Sequence, residues 1–178
     1  SEAYRLEVTP NRIVMKASDT KGFFYALQTI RLLLPSSIEN ARNVGGNPDW
    51  TIPSVKISDE PRFGYRGLLL DAARFFIPNV LRIMDCMAML KLNKLHFHLC
   101  DDNGWRLEIK KHPRLTEVGA WRVDRRDVPF HSRRNPKLGE ATPVGGFYTQ
   151  EDMKEMIAYA AERQIEVIPE IEMPAHSN

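Results

Sequence analysis

The sequence predicts an α/β fold: the opening strands of a parallel sheet or (β/α)8 TIM barrel, preceded by the end of a small α+β domain. Three observations lead there. After about residue 61, short apolar runs alternate with amphipathic stretches of helical period, the rhythm of strand–helix–strand crossovers. Each apolar run ends in polar residues: Asp71 with Arg74, Asp101 with Asp102, and Glu170 and Glu172 with His176. A Ser-, Asn-, Gly- and Pro-rich stretch separates these runs from an earlier hairpin-plus-helix pattern.

The elements follow in order. Tyr4, Leu6 and Val8 alternate with polar neighbours, Pro10-Asn11 supplies a turn, and Ile13 and Met15 alternate again, which predicts a hairpin. Asp19 is placed to cap a helix whose Phe23, Ala26, Leu27, Ile30, Leu33 and Leu34 recur at helical spacing until Pro35 stops it. Residues 1–35 are too few for a confident core of their own and read as the end of a domain. Residues 36–60, centred on Gly45-Gly46-Asn47-Pro48, read as a linker or surface loop.

Gly67–Asp71 (GLLLD) is a continuous apolar run, as expected for a strand covered on both faces. Pro78 suits an early helical position, and Val80, Leu81, Ile83, Met84, Met87, Ala88 and Leu90 form an apolar stripe up to Asn93. The strand at 95–99 alternates Leu95, Phe97 and Leu99 with His96 and His98, and it runs into the turn sequence Asp101-Asp102-Asn103-Gly104. The connection from Trp105 to Phe147 is too long for a routine loop and is expected to be functional or partly structured. Thr149, with Asp152 three residues on, caps a helix over about 151–163, and a strand at 165–168 follows. Three strands fall short of the eight of a complete barrel, so the barrel is expected to be partial.

Composition narrows the function classes. A formal charge of +2 without any long basic run gives no sign of a nucleic-acid partner. No apolar run approaches the ~18 residues of a membrane span, and the first residues, SEAYRLEV, lack a signal pattern. Two cysteines, Cys86 and Cys100, make neither a disulfide framework nor a four-ligand zinc site, and they read as small apolar residues.

The chemistry gathers at carboxyl ends of strands, where α/β folds build their sites. The stretch KLNKLHFHLCDDNGWR (91–106) is the densest, although a turn and hydrogen-bonded core histidines would explain it equally well. His96-x-His98 near Asp101 resembles a metal-hydrolase ligand pair, so a metal-dependent barrel hydrolase is a second enzyme reading. A satisfied polar layer inside the sheet is the preferred account of those histidines.

Three long stretches carry a more specific resemblance: SDEPRFGYRGLLLDAARFF (58–76), KLNKLHFHLCDDNGWRLEIKKHPRLTEVGAWR (91–122) and GGFYTQEDMKEMIAYAAERQIEVIPEIEMPAHS (145–177). Together, and in this order, they resemble glycoside hydrolase family 20, the β-N-acetylhexosaminidases. The resemblance implies that residues 1–35 end the family's non-catalytic α+β domain and that residues 61–178 begin its catalytic barrel. It implies removal of terminal N-acetylhexosamine (GlcNAc or GalNAc) from β-linked glycans by substrate-assisted retaining hydrolysis, with no cofactor and no metal. It also implies a secreted or periplasmic location.

By position, the resemblance makes Arg74 the arginine that grips hydroxyls of the non-reducing sugar, in keeping with its forked donor. It makes Asp101 the aspartate beside the catalytic acid and His176 the histidine that orients that acid. Glu172 stands where the family usually has an aspartate partner for this histidine, and Ala175 where it usually has glycine, a change that matters only if φ is positive there. Asp102 is expected to be structural.

The family's Asp-Glu pair lies at the end of the fourth barrel strand. The only Asp-Glu dipeptide here, Asp59-Glu60, stands before the first barrel strand and is given no catalytic role. The 178-residue chain alone is therefore expected not to hydrolyse substrate, and the remainder of the barrel is its expected partner. The alternative is a non-catalytic sugar-binding remnant or half of a split enzyme.

Overall fold

The computed structural model describes residues 2–39, 50–74, 76–125, 127–129 and 136–176. They form two compact units, residues 1–66 with 86–93 and residues 67–85 with 94–178. No helix among the described residues is long and apolar enough to cross a membrane.

In the first unit, β1 (Tyr4–Thr9) and β2 (Arg12–Ala17) form the expected antiparallel hairpin, and α1 (Thr20–Leu33) follows. The Asp19 side chain accepts the Lys21 amide hydrogen at 3.0 Å, capping the helix as the sequence suggests. Tyr4, Leu6 and Val8 point from one face of β1 onto Tyr25 and Ala26 of α1 and make the core.

One correction applies to this unit. The span 36–60 is not all linker, because β3 (Val55–Asp59) pairs antiparallel with the free edge of β1 and gives the order β2-β1-β3. Val55 and Ile57 alternate with Lys56 and Ser58, a strand signal too short to stand out between Pro53 and Pro61. The Gly45–Pro48 centre of the expected linker lies outside the described residues. Asp59 is a structural residue: its carboxylate accepts from the Tyr4 hydroxyl at 2.7 Å and pairs with Lys91 Nζ at 3.0 Å.

The second unit is built on a parallel sheet. Its strands β4 (Gly67–Asp71) and β5 (Lys94–His98) are joined through α2 (Val80–Met89). Pro78 stays outside that helix, where Asn79 Oδ1 instead accepts the Arg82 amide.

The long connection is partly structured. It carries the two-residue pairs β6 (Cys100–Asp101) with β7 (Gly104–Trp105), the short α3 (Arg114–Glu117), and β8 (Trp121–Arg122) with β9 (Val144–Gly145). Then come α4 (Gln150–Glu162), which has the full capping box between Thr149 and Asp152, and β10 (Glu166–Glu170). Both crossover helices end at a left-handed residue that is not glycine, Lys91 and Gln164, and each is followed by the paired carbonyl contacts of a Schellman turn.

The sheet order is β10-β5-β4, so the chain's second strand of this unit lies at the centre. Leu95, Phe97 and Leu99 are fully buried, and Phe97 packs on Tyr148 with ring centroids 5.2 Å apart. The opposite face of β5 carries His96 and His98, because successive side chains point to opposite sides.

Candidate active site

Strand register assembles the site. Asp71 lies beside His98, and His98 beside Glu170, at the carboxyl ends of three neighbouring parallel strands. Partners across a parallel ladder share a face, so all three side chains project from the same side of the sheet.

The loops after these strands complete the cluster. After β4, the chain turns so that Asp71 Oδ1 accepts the Arg74 amide and Asp71 Oδ2 meets Arg74 Nη1, both at 2.9 Å. The second arm of the Arg74 fork, Nη2, reaches Asp101 Oδ2 at 3.1 Å. Asp101 sits on the β6–β7 hairpin with its side chain 5% exposed, and its Oδ1 accepts the Asp102 amide at 2.6 Å. After β10, the chain brings His176 Nδ1 to within 3.4 Å of Asp101 Oδ1. The left-handed backbone of this loop falls on His176 itself, at φ 55°, and not on Ala175.

A second set of contacts runs inward along the sheet. His98 Nε2 is 3.3 Å from Asp101 Oδ2, and His98 Nδ1 is 2.9 Å from Glu170 Oε2. His96 Nε2 is 2.8 Å from the same oxygen. Neither imidazole aligns an N–H with Glu170 Oε2, so these are close charge contacts and not well-directed hydrogen bonds.

Electrostatics follow from the contacts. Burial works to raise the Asp101 carboxyl, but the Asp102 amide, His98, the Arg74 charge and His176 outweigh it and hold the group below the ordinary carboxylate range. Burial works to lower His98, yet Glu170 and Asp101 together raise it above its ordinary value. Glu170 is lowered: burial opposes ionisation, and His98 with its other polar neighbours overcomes it. Burial pushes up the Cys100 thiol, which lies under the Glu172 and His176 carbonyls.

Among the described residues, two groups hold ligand-type atoms within 4.8 Å of one another: His98 with Glu170 and Glu172, and Asp101 with Asp102 and His176. His96 and His98 both end on the Glu170 carboxylate. One carboxylate oxygen thus faces both imidazoles, and His98 also belongs to the first of these groups.

The same chain can be compared with known proteins. The model of the glycosyl hydrolase family 20 catalytic domain matches residues 63–178, and that of the family's domain 2 matches residues 1–60. The chain belongs to glycosyl hydrolase family 20.

Among curated family 20 relatives, a β-hexosaminidase of Vibrio furnissii is 45% identical over 98% of this chain and 27% of its own length. An N,N'-diacetylchitobiase of Vibrio harveyi is 44% identical over 99% of this chain and 19% of its own. A solved family 20 exo-β-N-acetylglucosaminidase from Vibrio harveyi, in complex with N-acetylglucosamine, superposes with a TM-score of 0.80 at 38% identity, covering 98% of this chain and 26% of that one. The β-N-acetylhexosaminidase of Streptomyces coelicolor gives 0.81 at 36% identity, covering 98% and 32%. The chain thus spans between about a fifth and a third of the length of these relatives.

Of the four residues singled out from the family 20 resemblance, the fold brings Arg74, Asp101 and His176 into one contact chain. Glu172 is the exception. Its carboxylate gathers with His98 and Glu170 on the sheet side, whereas the His176 imidazole partners Asp101. Sequence reasoning undervalued His98 and Glu170. Their alternation and their strand-end position were visible, but only the parallel register pairs them.

This cluster predicts a pH dependence of stability. His98 has its folded pKa raised, so its contribution is fully present below the ordinary value of 6.5 and is lost as pH rises through the folded pKa. Asp101 and Glu170 are lowered, so theirs is present above the ordinary 3.8 and 4.5 and is lost as pH falls. Thermal unfolding followed from about pH 5 to about pH 9 should show stability declining on the alkaline side. His98→Gln should flatten that decline. An unchanged alkaline slope in the variant would show that other groups cause it.

Proposed function

We propose that this chain is part of a retaining β-N-acetylhexosaminidase. In this reading, residues 1–60 are the end of its non-catalytic domain, including the β3 strand, and residues from about 61 open a (β/α)8 barrel. The observation that carries the reading is the linked row Arg74–Asp101–His176, assembled where three parallel strands end.

Each residue then has a role that suits its surroundings. Arg74 offers a rigid, charged donor fork to sugar hydroxyls, held in aim by Asp71. Asp101, ionised and fixed by four partners, is the negative charge beside the general acid, and His176 orients that acid. Glu172 supports the strand-end layer through its position near Glu170 and does not hold His176.

The chemistry is the substrate-assisted variant of glycoside hydrolysis, for which the handled sugar supplies the nucleophile. Its 2-acetamido oxygen attacks the anomeric carbon while the acid gives its proton to the leaving oxygen. The oxazolinium intermediate is opened by water, which the same residue, now a base, deprotonates. The substrate class is a β-linked glycan ending in N-acetylhexosamine, and a secreted or periplasmic enzyme fits that class.

The test uses paired aryl glycosides. The complete enzyme should release the aryl group from an N-acetyl-β-glucosaminide with retention at the anomeric carbon. It should fail on the matching β-glucoside, which lacks the acetamido oxygen. The chain of residues 1–178 by itself should turn over neither, because its only Asp-Glu dipeptide is Asp59-Glu60 in the first unit. Comparable hydrolysis of both glycosides, or inversion, would replace this mechanism with a two-carboxylate one.

A further inference from the structure

Arg106 is buried to 1% exposure, heads the largest fully buried side chains, and has no part in the chemistry above. Among the described residues its guanidinium ends on main-chain carbonyls. Nε donates to Ala72 and Ala73, Nη1 to Ala120 and Gly146, and Nη2 to Ala73 and Asn103. All five of its N–H donors are thereby occupied. Burial, with the Arg122 charge nearby, lowers its pKa to about 10, which leaves it a cation at neutral pH.

The carbonyls it holds are not scattered. Ala72 and Ala73 connect Asp71 to Arg74, and their amides both donate to the His98 carbonyl at 3.1 Å. Arg122 Nη2 takes the next carbonyl, that of Arg74, at 2.7 Å. The backbone that aims the Arg74 fork is thus fixed on its amide side by β5 and on its carbonyl side by two arginines. Gly104 makes room for one of them: it has φ +154°, and a Cβ there would overlap the Arg106 guanidinium.

We infer that Arg106 is a positioning residue that acts through the Ala72–Ala73 carbonyls to hold the Arg74 fork on Asp101 and toward the sugar. This rests on the proposed hexosaminidase reading for what Arg74 grips, but not for the geometry itself. A buried cation with five acceptors over-determines the loop, where a lysine, with three donors and no fork, holds fewer of them.

The experiment is a double-substitution cycle in the complete enzyme. Arg106→Lys keeps the charge, and Gly104→Ala displaces the guanidinium without altering it. Each should lower kcat/KM for the aryl N-acetyl-β-glucosaminide by about tenfold or more, mainly through KM, yet have little effect in an Arg74→Ala background. A purely structural role would give losses that multiply in that background, and that result would overturn the inference. So would failure of both variants to fold, since Arg106 would then be serving the fold as a whole.

A second readout needs no turnover. The Asp101 carboxyl, followed by NMR in protein labelled at aspartate, faces Arg74, His98, His176 and the Asp102 amide. It should titrate higher in Arg106→Lys, because the Arg74 charge has moved away. An unshifted Asp101 would sink the inference. If the wild-type enzyme proves inactive on the glycoside, the hexosaminidase reading falls, while this titration still decides Arg106.

Discussion

Arg74→Lys in the complete enzyme is expected to lower kcat/KM by about 2–4 kcal/mol of transition-state stabilisation. The structure explains why charge alone is not enough. Nη1 and Nη2 lie 2.9 Å from Asp71 and 3.1 Å from Asp101, so one planar group spans two carboxylates and still leaves its side chain 43% exposed. An ammonium can satisfy one of those carboxylates and loses the parallel donors that would meet adjacent hydroxyls. Steady-state kinetics on folded protein check this, and an unchanged kcat/KM for the lysine variant would remove Arg74 from the substrate site.

Asp101→Asn is expected to lower the rate by about tenfold or more and to move the alkaline limb of kcat/KM to lower pH. The sign follows from charge. Asp101 is held below the ordinary carboxylate range and remains ionised in the working range, so its negative charge opposes ionisation of a neighbouring acid and keeps that acid protonated. Removing the charge lets the acid ionise earlier. Arg74, His98 and His176 partly neutralise Asp101, which limits the size of the shift.

His176→Ala should reduce the rate with a smaller shift, because its side chain is 53% exposed and touches only one edge of Asp101. Asp102→Asn should leave the limb in place, since Asp102 holds Asp101 through its backbone amide, which the substitution keeps. A pH–rate profile of the three variants separates these roles. Equal behaviour of Asp101 and Asp102 would mean that the acid's neighbour has been misassigned.

Local patterns made much of this legible before any coordinates. Tyr4, Leu6 and Val8 foretold β1, Thr149 with Asp152 foretold the start of α4, and the acidic strand ends foretold where side chains would converge. What stayed hidden depended on partners distant in the chain. Val55–Asp59 is a strand because β1 offers it an edge, and Glu170 meets His98 because β10 lies parallel to β5. The placement of Glu172 near His98 and Glu170 was hidden for the same reason: a two-residue offset along the chain says nothing about which way a loop turns after its strand. Lys91 and Gln164 gave no C-terminal signal because neither is glycine, although both take the left-handed conformation.

The sheet order β10-β5-β4 carries a further consequence for how the polypeptide behaves in solution. Within this sheet, among the described residues, only β5 has a hydrogen-bonded neighbour on each side, so β4 and β10 each carry a row of main-chain donors and acceptors at the sheet's margin. Leu69 on one of these strands is 56% exposed. A closed barrel removes such edges by joining first strand to last. Until that closure is made, strand addition from another copy competes with it. Refolding yield and colloidal behaviour therefore become functions of protein concentration, with the sticky margins lying beside the Asp71, His98 and Glu170 strand ends and not on a remote surface.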